Sequence, residues 1–177
     1  LAVPLVAYVF AARAVRPLRR TLTWWRRGRI DRATAGMMLG AVLVSSAALC
    51  IWLKWTHPYL GDLHAQLPDV GTLGMLGIGL AFALGNAVLE ECVWRGVLLE
   101  ALDAGLGRGV VPVVAQALSF GAAHVAGFPR GAWGVAMATA YGLMLGAIRR
   151  RSEGLLAPVI THAFADATIF ALLLRYA

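Results

Sequence analysis

The sequence predicts an all-α protein, a polytopic membrane helical bundle of about six transmembrane helices. Hydrophobic residues make up 60% of the chain and charged residues only 14%, whereas a soluble domain carries about 25% charged residues. The mean hydropathy is +0.73, and long apolar stretches alternate with short polar segments. We therefore expect lipid to be the main solvent and residues 1–177 to form a single membrane-embedded domain.

The first apolar stretch ends near Ala14 and is shorter than the ~20 residues that a span requires, so part of this helix is expected to precede Leu1. An Arg-rich segment, residues 13–33, follows and contains Trp24 and Trp25. Arginine flanks with interfacial tryptophan are typical of a cytoplasmic loop that lies along the lipid headgroups. The net charge of +7 is thus explained by membrane orientation, and no nucleic-acid partner is predicted.

The next two spans are expected at residues 34–55 and from residue 71 past Glu100 towards Asp103. The segment 57–69 between them contains neither Lys nor Arg, which predicts an external loop. Its two histidines, His57 and His64, have no cysteine partners, and we interpret them as solvated residues.

Three further spans are expected at residues 110–127, 132–148 and 154–175, with a second arginine cluster at Arg149, Arg150 and Arg151. If both arginine clusters are cytoplasmic, six spans alternate consistently across the bilayer.

The third predicted span contains two adjacent carboxylates, Glu90 and Glu91, followed by Arg95. Ionisable groups inside a membrane cost several kcal/mol and are kept for pairing or chemistry. Residues four apart share a helix face, so Glu91 and Arg95 can form an ion pair. Glu90 is rotated by about 100° on the same helix and is free to face a cavity.

Two later spans contribute His124, four residues after Phe120, and His162, four residues before Asp166. Each residue alone is compatible with a structural role, and polar contacts between helices remain one interpretation of the set. A carboxylate and imidazoles in a partly dry cavity can also activate water, because burial raises the pKa of a carboxylate towards that of a useful general base.

The motifs Glu-Glu-x-x-x-Arg (90–95), Phe-x-x-x-His (120–124) and His-x-x-x-Asp (162–166) occur in that order. In this the chain resembles the CPBP family of intramembrane proteases, which contains the type II CAAX prenyl endopeptidases and Abi-like, bacteriocin-processing or immunity relatives. The resemblance covers a predicted catalytic core at residues 71–176.

By this resemblance, Glu90 and His124 are expected to polarise a catalytic water, and His162 and Asp166 to stabilise the oxyanion. Glu91, Arg95 and Phe120 are expected to support the site. The family often has Asn where this chain has Asp166, and an ionised carboxylate cannot donate to an oxyanion. Asp166 is therefore protonated, orients His162 or helps to hold a metal.

The resemblance implies a glutamate mechanism with no cofactor, and a Zn²⁺ ion held by Glu90, His124 and His162 is the alternative. The expected substrate is a membrane-anchored protein or peptide, such as a C-terminal sorting signal, a bacteriocin leader or a CAAX-like tail. The Ala-, Arg- and Gly-rich composition favours a bacterial cytoplasmic membrane. Two other functions remain open: a non-catalytic membrane scaffold or chaperone of the same fold, and a proton-coupled transporter, for which no inverted repeat is evident.

Overall fold

The computed structural model describes residues 2–15, 22–65 and 67–176, and these residues form helices and loops without any strand. Six helices dominate: α1 Ala2–Ala14, α2 Arg32–Thr56, α3 Thr72–Leu106, α4 Val110–Ala123, α5 Gly131–Ser152 and α6 Leu156–Tyr176. A 3-10 turn, Leu22–Trp24, precedes α2, and one helical turn, Gly61–His64, precedes α3. The predicted all-α fold is confirmed. Of the predicted basic segment, residues 16–21 lie outside the described part.

Helices α2, α3, α5 and α6 are long and apolar enough to cross a membrane, with mean hydropathies of 1.4 to 2.0 in their apolar windows. Two further helices are apolar but shorter, α4 and the Leu5–Ala14 part of α1. The 14 residues of α4 extend about 21 Å, which is less than the ~30 Å hydrocarbon core. The described residues thus form a polytopic helical membrane protein with four full-length spans and two shorter apolar helices.

The fourth span ends earlier than predicted, at Ala123 instead of Gly127. A turn follows at once, in which the Gly127 N–H donates to the His124 carbonyl at 2.9 Å and the Gly131 N–H donates to the Val125 carbonyl at 2.7 Å. The apolar pattern continues through this turn, so hydropathy alone does not mark the end of the helix. His124 consequently caps α4 rather than lying inside it.

Helix α5 continues through the arginine cluster to Ser152, although the pattern predicted an end at Ile148. Cations in the last turn interact favourably with the helix C-terminus. Arg149 also donates to Glu100 on α3 at 3.0 Å, and Arg150 pairs with Asp103. These contacts explain why three consecutive charges do not end the helix.

Helix α3 is the longest element, with 35 residues, as predicted from its apolar length. It changes character within its course: Thr72–Glu91 is α-helical, Cys92–Leu98 is π-helical and Leu99–Leu106 is again α-helical. The π-helical segment begins directly after Glu91. Such segments are rare and occur frequently at functional sites.

The core of the bundle is formed by two closely packed helix pairs, α3 with α6 and α4 with α5, and α2 packs against both α5 and α6. Glycine allows the closest approach between α4 and α5. A Cβ atom at Gly121 would lie 2.7 Å from the Val135 carbonyl oxygen, and one at Gly142 would lie 3.2 Å from the Ala117 Cβ. Small residues at helix contacts are characteristic of membrane bundles.

The two arginine clusters lie at the same end of the bundle. The Arg29 N–H donates to the Ser152 carbonyl at 2.8 Å, and Arg151 donates to Asp31 at 2.8 Å. Asp31 also caps α2 by accepting from the Thr34 N–H, and this bond lowers the pKa of the Asp31 carboxyl. We call this end, formed by residues 22–31, 100–109 and 149–155, the basic end.

Candidate active site

The site is built on a buried ion pair within α3. Arg95 donates through Nη1 to Glu91 Oε1 at 2.8 Å, and both side chains are 0% exposed. The Arg95 guanidinium also lies 4.4 Å from the centre of the Phe120 ring, a cation–π distance. The predicted pair between Glu91 and Arg95 is therefore present, and Phe120 from α4 packs against it.

His162 on α6 is tied to the same carboxylate, with Nδ1 2.7 Å from Glu91 Oε1. An ionised carboxylate only accepts hydrogen bonds, so Nδ1 carries the proton. The other ring nitrogen, Nε2, is left to face the site. Glu91 thus orients the His162 imidazole as well as pairing with Arg95, a contact that sequence spacing did not predict.

His124 is held in the same tautomer by a different partner. Its Nδ1 lies 2.7 Å from the carbonyl oxygen of Phe120, and a carbonyl can only accept, so Nδ1 is again the donor. The Nε2 atom of His124 points towards Glu90 Oε2, which is 3.7 Å away.

Glu90 lies between the two imidazoles. Its Oε2 atom is 3.7 Å from His124 Nε2 and 3.8 Å from His162 Nε2, which is too long for a hydrogen bond. The same oxygen is buried and has no hydrogen-bond partner among the described residues. When the imidazoles are neutral, three lone pairs converge here, and such a cluster needs a species that supplies protons, as a water molecule does.

Asp166 completes the group from α6. Its Oδ1 lies 3.7 Å from His162 Nε2, so the four-residue spacing brings the two side chains close without a hydrogen bond. Its Oδ2 accepts from the side-chain amide of Asn86 on α3 at 3.1 Å. The carboxylate therefore receives its hydrogen bond from another helix.

A cavity of about 160 Å³ adjoins the cluster. Its polar lining includes His124, His162 and Asp166. Most of the remaining wall is apolar, with α2 and α5 contributing Val44, Leu49, Met137 and Met144. Glu90 is not one of the lining residues, and its side chain is 12% exposed. The cavity thus combines a largely apolar wall with a polar patch formed by the two imidazoles and Asp166.

The three predicted motifs therefore meet around one point, although they come from α3, the end of α4 and α6. A family model, the type II CAAX prenyl endopeptidase Rce1-like family, matches residues 72–168, more than half of the 177 residues. The chain belongs to this family. No curated protein and no solved structure matches the chain.

The match confirms the resemblance to the family, and the matched range contains the positions of all seven predicted site residues. Those residues are Glu90, Glu91, Arg95, Phe120, His124, His162 and Asp166. The Rce1-like family is one of CAAX-type endopeptidases, so membership assigns the chain, at family level, to the membrane proteases that act on membrane-associated peptides.

Asn86 is the residue of this Rce1-like site that the motifs did not reveal. It lies four residues before Glu90 and therefore on the same face of α3. It is also the only amide side chain in the apolar part of the helix, Thr72–Glu91. An isolated amide one turn before a motif carboxylate is a signal that sequence reasoning can use.

The described residues contain no group of three or more His, Cys, Asp or Glu side chains that could hold a metal ion. Ligands around tetrahedral Zn²⁺ lie about 2.0–2.2 Å from the metal, and hence roughly 3.3–3.6 Å apart, and Glu90 lies 3.7 and 3.8 Å from the two imidazoles. The alternative Zn²⁺ set of Glu90, His124 and His162 stays a prediction. We derive no step through a metal.

Proposed function

We propose that this Rce1-like chain is a glutamate-dependent intramembrane endopeptidase. One observation carries the proposal: a buried Glu90 oxygen, which has no hydrogen-bond partner among the described residues, lies 3.7 and 3.8 Å from the Nε2 atoms of two imidazoles. The Nδ1 atoms of both imidazoles are occupied as donors. A water molecule between Glu90 and His124 would donate to both acceptors. Its oxygen would then be free to attack a peptide carbonyl in the adjoining cavity.

The reaction follows from these roles. The water oxygen bonds to the carbonyl carbon, while one water proton moves to Glu90 or His124. The carbonyl oxygen becomes an oxyanion, and the C–N bond breaks as the same proton is delivered to the departing amine. No covalent enzyme intermediate is required, because no Ser or Cys is paired with a base among the described site residues.

The oxyanion needs a donor, and His162 is suited to be one when Nε2 is protonated. It is surrounded by carboxylates: Glu91 at 2.7 Å from Nδ1, and Glu90 and Asp166 at 3.8 and 3.7 Å from Nε2. A preorganised donor in a dry site stabilises an oxyanion by several kcal/mol.

Asp166 is proposed to orient His162, one of the three roles that the sequence left open. Two observations support this role. Its Oδ1 faces His162 Nε2 at 3.7 Å, and its Oδ2 is occupied by Asn86. Asn86 acts in turn as a positioning residue for Asp166, and Glu91, Arg95 and Phe120 keep the helices in register.

The substrate is proposed to be a membrane-anchored protein or peptide, and three types remain in view: a C-terminal sorting signal, a bacteriocin leader and a CAAX-like tail. Because the cavity is largely apolar, we expect the substrate to have apolar residues beside the cleaved bond. A bacterial cytoplasmic membrane is the proposed location, with the basic end in the cytoplasm.

The test compares protein termini in membranes of host cells that express the wild type, Glu90→Gln or Glu153→Gln. The two variants make the same chemical change, but Glu153 is an exposed residue of the basic end. Loss of a general base slows cleavage by about 10²- to 10⁴-fold. We expect uncleaved precursors to accumulate with Glu90→Gln only, and these precursors identify the substrate. Identical termini in all three strains, with folded protein present, would support a non-catalytic scaffold instead.

A further inference from the structure

A second concave surface lies on the opposite side of α3 and α6 from the candidate active site, along the seam where the two helices meet. Near the basic end it forms a groove of about 500 Å³ lined by Trp25, Val88, Cys92, Leu155, Leu156 and Val159, with Arg26 and Arg27 at its mouth. Polar cations thus border an apolar groove. This combination matches an amphipathic ligand with an anionic head.

The apolar surface continues further along the same two helices. A second stretch of about 410 Å³ is lined by residues of α3 and α6 that include Leu76, Leu80, Leu84, Ile160 and Phe164. On α3, Leu76, Leu80, Leu84 and Val88 are exposed and spaced by four residues, so they form one stripe. Cys92 continues the spacing but is buried against Trp24 and Leu155. We call the combined surface, from Leu76 and Phe164 to Arg27, the α3–α6 groove.

The dimensions of this groove suit a lipid chain. The stripe from Leu76 to Val88 covers 12 residues of helix, or about 18 Å. An acyl chain in one leaflet has to cover about half of the ~30 Å hydrocarbon core. The groove is therefore long enough for one chain.

The arginines at the mouth are held in place through their backbone. The Arg26 carbonyl accepts from the Leu155 N–H at 2.8 Å, and the Arg27 carbonyl accepts from the Leu156 N–H at 3.2 Å. Gly28 follows with a φ of +77° and lies close to Gly154. A Cβ added at Gly28 would be 2.5 Å from the Gly154 nitrogen. This segment is therefore pinned to the start of α6, which keeps both guanidinium groups beside the groove.

The charges at the mouth are not fully neutralised. Arg26 shares Glu100 with Arg149, whereas Arg27 has no carboxylate partner among the described residues and is exposed. The adjoining cavity of about 190 Å³ is lined by Arg26, Arg108, Arg149 and Arg150 and by the carboxylates of Glu100 and Asp103, and Arg108 pairs with a third carboxylate, that of Glu153, at 3.7 Å. The local field is positive and attracts an anion.

We propose that the α3–α6 groove binds an anionic phospholipid, with the phosphate at Arg26 and Arg27 and one acyl chain along the stripe on α3. Trp25, which is 62% exposed, lies at the level of the headgroup, where tryptophan is enriched. The proposal does not depend on proteolysis. The lipid would fix α3 against α6, the two helices that hold Glu90, Glu91, His162 and Asp166.

The experiment measures phospholipid retained by the purified full chain in detergent, using native mass spectrometry with equal amounts of phosphatidylglycerol and phosphatidylcholine. Each arginine near an anionic headgroup contributes about 1 kcal/mol, or fivefold in affinity. Arg27→Gln should therefore lower phosphatidylglycerol retention about fivefold, and Arg26→Gln with Arg27→Gln further. Arg130→Gln is the matched control, because Arg130 precedes α5 at the other end of the bundle.

A second variant tests the groove without a change of charge. Val88 is 45% exposed, so the Val88→Trp variant should fold, and its indole ring should fill the groove. Phosphatidylglycerol retention should therefore fall, while the melting temperature in phosphatidylcholine stays the same. The proposal is wrong if phosphatidylcholine is retained equally well, or if Arg130→Gln loses as much lipid as Arg27→Gln. Displacement of the lipid by millimolar inorganic phosphate would identify a free-anion site and also overturn it.

Discussion

The buried pair of Glu91 and Arg95 allows a quantitative test of how the site is held together. Arg95→Met keeps the length and apolar stem of the side chain but removes its charge. Glu91 is then left at 0% exposure with His162 as its remaining partner, and its Oε2 already has no hydrogen-bond partner among the described residues. Breaking a buried pair on one side costs about 3–5 kcal/mol.

Two additional contacts are lost with the guanidinium group. These are the cation–π contact to Phe120 at 4.4 Å and a weak hydrogen bond to the Gly142 carbonyl at 3.4 Å. At about 2–4 °C per kcal/mol for a chain of this size, the pair alone predicts a fall in Tm of about 6–20 °C. Thermal unfolding in detergent micelles, followed by circular dichroism, measures it.

The double variant Glu91→Gln with Arg95→Met separates charge from packing. Removing both charges avoids an isolated buried carboxylate, so we expect the double variant to melt at a higher temperature than Arg95→Met alone. A double variant that melts lower than Arg95→Met would contradict this reasoning, because the two losses would then be additive and the charges independent.

Three further predictions concern the site and its scaffold. Asn86→Ala removes a hydrogen bond to a carboxylate, which is worth about 1.5–3 kcal/mol, so kcat/KM for a cleaved peptide should fall about 10- to 150-fold. The exchanged pair Asn86→Asp with Asp166→Asn should be more active than Asn86→Asp alone. Equal activity of these two variants would show that Asn86 is not part of the site. Gly121→Ala puts a Cβ 2.7 Å from the Val135 carbonyl and should lower the Tm by several degrees, whereas Gly105→Ala, at a glycine with open space around it, should not. Dialysis against a metal chelator should leave cleavage unchanged, and recovery of lost activity by added Zn²⁺ alone would overturn the glutamate mechanism.

Local spacing predicted which side chains share a helix face, but not which of them bind each other. Glu91 and Arg95 are four residues apart and form the expected ion pair. His162 and Asp166 have the same spacing, yet their nearest charged atoms are 3.7 Å apart and the carboxylate accepts from Asn86 instead. Spacing states which residues share a face, whereas the packing of neighbouring helices decides which partner is bound.

Helix boundaries were predicted less accurately where hydropathy and backbone geometry disagree. The apolar pattern around Val125 continues past the end of α4, but the chain turns after Ala123. At the other extreme, α5 continues through three arginines because Glu100 and Asp103 on α3 neutralise two of them. Hydropathy reports the solvent of a segment and not the hydrogen bonds that end or extend a helix.

The sequence alone was sufficient to predict that the protein lies in lipid and where its spans approximately run. It also identified the motif residues, because ionisable groups are costly in lipid and therefore stand out. Only the tertiary structure decided their chemical state and orientation. The bond from His162 to Glu91 joins residues 71 positions apart and sets the imidazole tautomer, and the π-helical segment after Glu91 sets the rotation of the rest of α3. Both depend on how α3, α4 and α6 are rotated and packed, which is a property of the assembled bundle and of no single segment.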